Sequence, residues 1–130
     1  MVTSTHFERE YELTTHPKDL YPFLVSDYGL AKWFADEVVI HNERSYSFIW
    51  DKKTFPAKLV GRRQNKYAKF EFAPVDGENP TWMEFTIETN DLTQEVYLKV
   101  VDYTNDGDQE EMEKIWDNLI ENLRESLLNV

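Results

Sequence analysis

The last 23 residues, Asp108 to Val130, constrain the fold more than any other stretch. Met112, Ile115, Trp116, Leu119, Ile120, Leu123 and Leu127 recur at helical spacing. Projected on a helix they span an arc of about 140°, a broad apolar stripe. Glu113, Lys114, Asp117, Asn118, Glu121, Arg124 and Glu125 fill the opposite face. Asp108 has the chemistry of an N-cap, with Glu111 placed to close a capping box. Glu110 and Glu111 add negative charge at the positive end of the helix dipole. A two-helix coiled coil would need only a narrow a/d seam, so the wide stripe points to a helix lying on a sheet. Such a helix is roughly 35 Å long, and the sheet must curve to cover it.

The upstream chain supplies that sheet. Thr5–Thr14 alternates Phe7, Tyr11 and Leu13 with Glu8, Glu10 and Glu12, which predicts a half-buried strand. Arg9 stands on the apolar register, where an arginine near a strand end snorkels to water. Two short helices are expected next. Pro17 opens the first, with Leu20, Phe23 and Leu24 as its apolar face. Ser26-Asp27 caps the second, carrying Leu30, Trp33 and Phe34, with Gly29 lowering its helix propensity. Six strands follow at hairpin spacing: Glu37–Asn42, Ser45–Trp50, Thr54–Gln64, Lys66–Phe72, Trp82–Thr89 and Thr93–Tyr103. Pro56 suggests that its strand is an edge or carries a bulge. Turn chemistry marks Pro74 to Pro80 as a loop. The order predicts an α+β fold: an antiparallel sheet of about seven strands around the C-terminal helix, in one domain spanning 1–130.

No cysteine is present, which excludes disulfides, thiolate metal sites and cysteine nucleophiles. The net charge of −11 disfavours nucleic acid and anionic membranes as partners. No apolar run is long enough for membrane insertion, and the N-terminal residues lack a signal-peptide pattern, so a cytoplasmic location is expected. The charge is unevenly placed. Lys52–Phe70 holds seven of the 14 basic residues and no acid, so the remainder carries −18 against the total of −11.

Leu30-Ala31-Lys32-Trp33-Phe34-Ala35-Asp36, Tyr67-Ala68-Lys69-Phe70-Glu71-Phe72 and Trp116-Asp117-Asn118-Leu119-Ile120-Glu121-Asn122-Leu123 carry a family resemblance in their order. The chain resembles the helix-grip superfamily of START-like, Bet v 1-like and Hsp90-activator-like proteins, and among these the small single-domain START-like group. The match runs from about Thr5 to Val130. It departs from the Hsp90-activator pattern in lacking a glycine-rich hairpin near 42–46 and a separate N-terminal domain.

His6, His16 and His41 have no metal-ligand spacing, the four glycines form no phosphate loop, and no serine sits in a nucleophile elbow. No metal or cofactor is expected. The paired carboxylates Glu8, Glu10 and Glu12, and Glu84 with Glu88, fall on solvent registers. A polyketide-cyclase-like enzyme of this fold would draw on Tyr46 or Tyr11, whose structural reading is a buried ring with a bonded hydroxyl; the chain is expected not to be an enzyme. Tyr46, Phe48, Trp50, Phe70 and Phe85 share inward registers, and Trp33, Phe34, Trp116 and Leu119 close the ends. Two readings stand: these residues fill the core, as close-packed interiors do, or they surround a cavity for a hydrophobic or amphipathic, lipid-like molecule, as the resemblance implies. A second class of function is a protein-interaction or co-chaperone-like module. There Lys58, Arg62, Arg63 and Lys66 would dock an acidic partner, with Lys58 and Arg62 together on the outer face. Edge lysines that merely prevent aggregation explain part of that charge.

Overall fold

The computed structural model describes residues 5–74, 80–104 and 108–128. The chain runs β1 (Thr5–Leu13), α1 (Pro17–Leu20), α2 (Pro22–Val25), α3 (Asp27–Trp33), β2 (Glu37–Ile40), β3 (Ser45–Trp50), β4 (Lys53–Arg63), β5 (Tyr67–Phe72), β6 (Thr81–Thr89), β7 (Val96–Thr104) and α4 (Gln109–Leu127). Among the described residues there are seven strands, antiparallel throughout, in the order β1-β7-β6-β5-β4-β3-β2. This is the expected curved sheet around a long C-terminal helix, with short helices after the first strand. Of the expected Pro74 to Pro80 loop, residues 75–79 lie outside the described residues, as do 105–107 and the last two residues of the expected helix. No described helix is long and apolar enough to cross a membrane.

Asp108 caps α4, its Oδ1 accepting the Glu111 N–H at 2.9 Å. Met112, Trp116, Ile120 and Leu123 are buried, whereas Leu119 and Leu127 are only partly covered and Ile115 is 51% exposed. The covered arc is therefore narrower than the apolar stripe. The cause lies in how the helix is held. Gln109 Nε2 donates to the His6 carbonyl at 2.7 Å, Arg9 pairs with Glu113 at 2.5 Å, and the Tyr11 hydroxyl donates to Asp117 at 3.0 Å. Arg124 then donates to the Glu12 carbonyl at 3.0 Å. The helix thus runs along β1 and covers that edge strand, which would otherwise present free carbonyls to other chains. Arg9 is exposed to water, as expected, and from there also pairs with the acids of α4. The opposite flank of the helix, with Ile115 and Leu119, is left facing the far side of the sheet.

The first expected short helix is two single turns, because Pro22 has no N–H to continue the ladder; Tyr21 between them keeps helical angles. In α3, Ser26 Oγ accepts the Gly29 N–H at 2.9 Å. A Cβ at Gly29 would stand 2.6 Å from the Pro22 carbonyl oxygen and 2.7 Å from Phe23 Cα, so glycine permits the close contact of α2 with α3. The β2–β3 hairpin turns without glycine: Asn42 Oδ1 accepts the N–H groups of Arg44 and Ser45, each at 3.0 Å. Asp51 and Lys52 make the two-residue β3–β4 turn with φ of 50° and 67°, the positive angles that suit the twist of paired strands. The strand expected from Thr93 begins instead at Val96. Asn90 Oδ1 binds the N–H groups of Leu92 and Thr93, and Gln94 has φ 64°.

Pro56 does not mark an edge: β4 lies between β3 and β5. Its carbonyl accepts from Ala73, just past the end of β5. The backbone nitrogen of a strand residue points the same way as its carbonyl, so the missing N–H falls where that ladder ends. The bulge lies further on, between Leu59 and Gly61.

Candidate functional site

Most of the inward aromatics are spent on packing. Phe48, Phe70 and Phe85 are fully buried, and Trp33, Phe34, Tyr46 and Trp116 nearly so. Their rings meet at centroid distances of 5–6 Å: Phe48–Phe70 at 5.5 Å, Tyr46–Phe70 at 5.1 Å, Trp33–Phe85 at 5.6 Å and Phe34–Trp116 at 6.0 Å. Three polar tips are spent too. Trp33 Nε1 donates to the Phe23 carbonyl at 2.8 Å, the Tyr46 hydroxyl to Val25 at 2.6 Å, and Trp50 Nε1 to Phe34 at 2.6 Å. These bonds take up carbonyls at the ends of the short helices and pin the helices to the sheet. Burial raises the Tyr46 hydroxyl pKa above its ordinary value, with the nearby Arg62 charge opposing. The hydroxyls of Tyr11 and Tyr46 are thus committed to Asp117 and to a backbone carbonyl.

A largely apolar groove lies on the free flank of α4. Phe34, Trp50, Trp116 and Leu119 line it together with Phe72, Met83, Met112 and Ile115, and it encloses about 460 Å³. Among the described residues the polar lining is Thr81, Thr104 and Asp102. It is a groove rather than a sealed cavity, walled by α4 on one side and by the ends of β3, β5, β6 and β7 on the other. Of the nine residues singled out from sequence, Phe34, Trp50, Trp116 and Leu119 meet there. Trp33, Tyr46, Phe48, Phe70 and Phe85 lie behind them in the core.

Asp102 escaped the sequence reading. On β7 it follows the inward positions Val96, Leu98 and Val100, so alternation alone puts a carboxylate under α4. Its Oδ2 accepts the Trp116 Nε1–H at 2.9 Å. No other hydrogen bond to its side chain is present among the described residues, and none of their enclosed side-chain polar atoms lacks a partner; Oδ1 is therefore not sealed in the core, and Asp102 lines the groove. Burial raises the Asp102 pKa above the ordinary aspartate range, and the Trp116 hydrogen bond offsets part of that rise. The signal available in the sequence was one acid in an apolar period-two run.

The basic residues fall differently from expectation. Lys58 pairs in register with Ser45 and Glu71 on the outer face. After the bulge Gly61 lies opposite Lys69 and Arg62 opposite the buried Ala68, so Arg62 stands on the inner register. The inserted residue flips the alternation, and Lys58 and Arg62 do not share a face. Arg62 acts electrostatically on Tyr21 and Tyr46, on the helix side. Arg63 ends β4 and Lys66 follows the Asn65 turn, which has φ 62°. All four are exposed, and none has an acid within 4 Å among the described residues. Lys69 is not free: it pairs with Glu84 at 3.4 Å and lies 4.2 Å from the Trp82 ring centroid.

A family model described as START-like superfamily domain matches residues 1–129. No curated protein matches the chain in sequence. Among solved structures, the Aha1 dimer from Colwellia psychrerythraea superposes with a TM-score of 0.76 at 16% identity, covering 95% of this chain and 96% of that one. Protein MLL2253 from Mesorhizobium loti gives 0.77 at 13%, covering 96% and 97%. BfR322 from Bacteroides fragilis gives 0.64 at 25%, covering 95% and 90%.

Proposed function

The chain belongs to the START-like superfamily, and on that premise we propose that it is a binding module for a hydrophobic or amphipathic small molecule. The ligand lies in the groove between α4 and the ends of β3, β5, β6 and β7. The observation that carries this reading is the apolar lining itself: four aromatic side chains, two methionines, Ile115 and Leu119 around about 460 Å³. That is the size and chemistry of a small-ligand site, with few polar groups to fix orientation. Cyclase-like chemistry gains no support from Tyr11 and Tyr46, which line none of this groove. The test is native mass spectrometry of freshly purified protein, followed by a thermal-shift screen of lipids and aromatic metabolites. A co-purifying mass or a shift that Leu119→Asp abolishes supports the reading. No retained mass and no shift from any compound would overturn it.

A second reading is an interaction module that docks an acidic partner through Lys58, Arg63 and Lys66. It is favoured by the exposure of these cations with no acid within 4 Å among the described residues and by similarity to a protein that forms a dimer. Arg62, on the inner register, belongs to it less than the sequence suggested.

A further inference from the structure

We propose that the groove selects an apolar molecule carrying one primary amine, whose ammonium group pairs with Asp102 Oδ1 while its hydrocarbon lies between Trp50, Met83, Met112 and Leu119. This inference rests on the groove being a ligand site and names the chemistry that site would take. Among the described residues Asp102 is the one charged side chain in the lining, and one of its oxygens is already held by Trp116. That hydrogen bond holds one oxygen of a groove-lining carboxylate and leaves the second without a hydrogen-bond partner among the described residues. Among the described residues no lysine, arginine or histidine lines the groove, so an anionic ligand would meet a carboxylate with nothing there to offset it. An alcohol could donate one hydrogen bond but would leave the carboxylate charge uncompensated in apolar surroundings. An ammonium ion supplies both the donor and the opposite charge.

The neighbours of Asp102 strengthen the case. Phe7 of β1 and Met83 of β6 pair with it in register, and Trp116 reaches it from α4. No charged group on these elements shifts its ionisation; only burial and the Trp116 hydrogen bond do. A ligand cation would therefore be its sole ionic partner, and binding should weaken as the carboxylate takes up a proton.

Octylamine, octanol and octanoate, alike in chain length, separate the possibilities. Binding is read by calorimetry and by the fluorescence of Trp50 and Trp116, both in the groove wall. At pH 7.5 the amine is expected to bind about tenfold or more tighter than octanol, as a charge-assisted hydrogen bond predicts, with octanoate weakest. Asp102→Asn keeps an acceptor for Trp116 and should abolish the preference for octylamine over octanol. In the wild type the amine preference should also fade as pH drops through the Asp102 titration, a measurement that needs no variant. An amine preference that survives in Asp102→Asn and at acid pH would assign it to the acidic surface at large and overturn the inference. Equal affinities for all three chains would do the same while leaving the groove reading intact. Failure of all three to bind, or a dimer that buries the groove in sedimentation runs, would overturn both.

Discussion

Gly29 holds two helices together by what it lacks. Its missing Cβ leaves room for the Pro22 carbonyl and the Phe23 backbone, neither of which can rotate away as a side-chain tip could. Gly29→Ala should therefore destabilise the domain by about 1–3 kcal/mol in urea titrations, despite the better helix propensity of alanine. A gain in stability would mean that α2 and α3 part without penalty. Sequence reasoning saw only the propensity, because the close contact is with residues six and seven positions back, across a chain reversal. Trp116 was legible from its place in the stripe; its partner Asp102 was not. Trp116→Ala removes ring contacts with Trp33, Phe34 and Phe85 and should cost about 3–5 kcal/mol; a loss below about 1 kcal/mol would contradict its burial. Asp102 itself gives a pH signature. Its folded pKa lies above that of the unfolded chain, so its contribution to stability is fully present below the ordinary aspartate range and is lost as pH rises through the folded value. Asn resembles the protonated form. Asp102→Asn should then be more stable than wild type at pH 7.5, with the gap closing in acid; a gap independent of pH would rule out burial as its source.

At the scale of elements, the turns and the bulge decide what period-two reading gets right. In β3, β5, β6 and the first half of β4 the inward register follows alternation directly: Tyr46 and Phe48, Ala68 and Phe70, Met83, Phe85 and Ile87, Ala57 and Leu59 are all buried. Beyond Leu59 the register breaks, and the sequence carries no strong signal for it, since Val60-Gly61 reads equally well as regular strand. The consequence falls on function, because the break moves Arg62 off the face it was expected to share with Lys58. Covering of the β1 edge was likewise illegible. It depends on Arg9, Tyr11, Gln109 and Arg124 meeting across the length of the chain, and no local pattern announces such pairs. The β3–β4 turn gives an element-scale prediction. Lys52 holds φ 67° without being glycine, a conformation that costs about 1 kcal/mol or more for a residue with a Cβ. Lys52→Gly relieves that strain but loosens the unfolded chain, so the expected result is a net gain below about 1 kcal/mol in the same urea titration. A clear loss would show that the Lys52 side chain has a role in the folded state.

Over the whole molecule, charge is segregated along the sequence and remains so in space. The 52–70 segment becomes β4, the Asn65 turn and β5, while acids dominate β1 and α4. Within the segment Lys69 is neutralised by Glu84, but Lys58, Arg63 and Lys66 stay exposed without an acid within 4 Å among the described residues. If this arm steers an acidic partner, the attraction must be sensitive to salt, because screening shortens from about 10 Å at 0.1 M to about 3 Å at 1 M. A pull-down with wild type and a Lys58→Glu, Arg63→Glu, Lys66→Glu variant, at low and high salt, makes the comparison. The expected result is a partner retained by wild type at low salt and lost both at high salt and on charge reversal. Arg62→Glu alone should matter less, since its charge is turned toward Tyr21 and Tyr46 on the inner side. Equal recovery by both proteins at both salt concentrations would reduce the arm to a device that keeps strands from pairing with other chains. The two functions remain separable throughout: the arm lies on β4, the β4–β5 turn and the outer face, whereas the groove is lined from the ends of β3, β5, β6 and β7 and from α4. Charge reversal should accordingly leave any thermal shift by an amphipathic ligand in place.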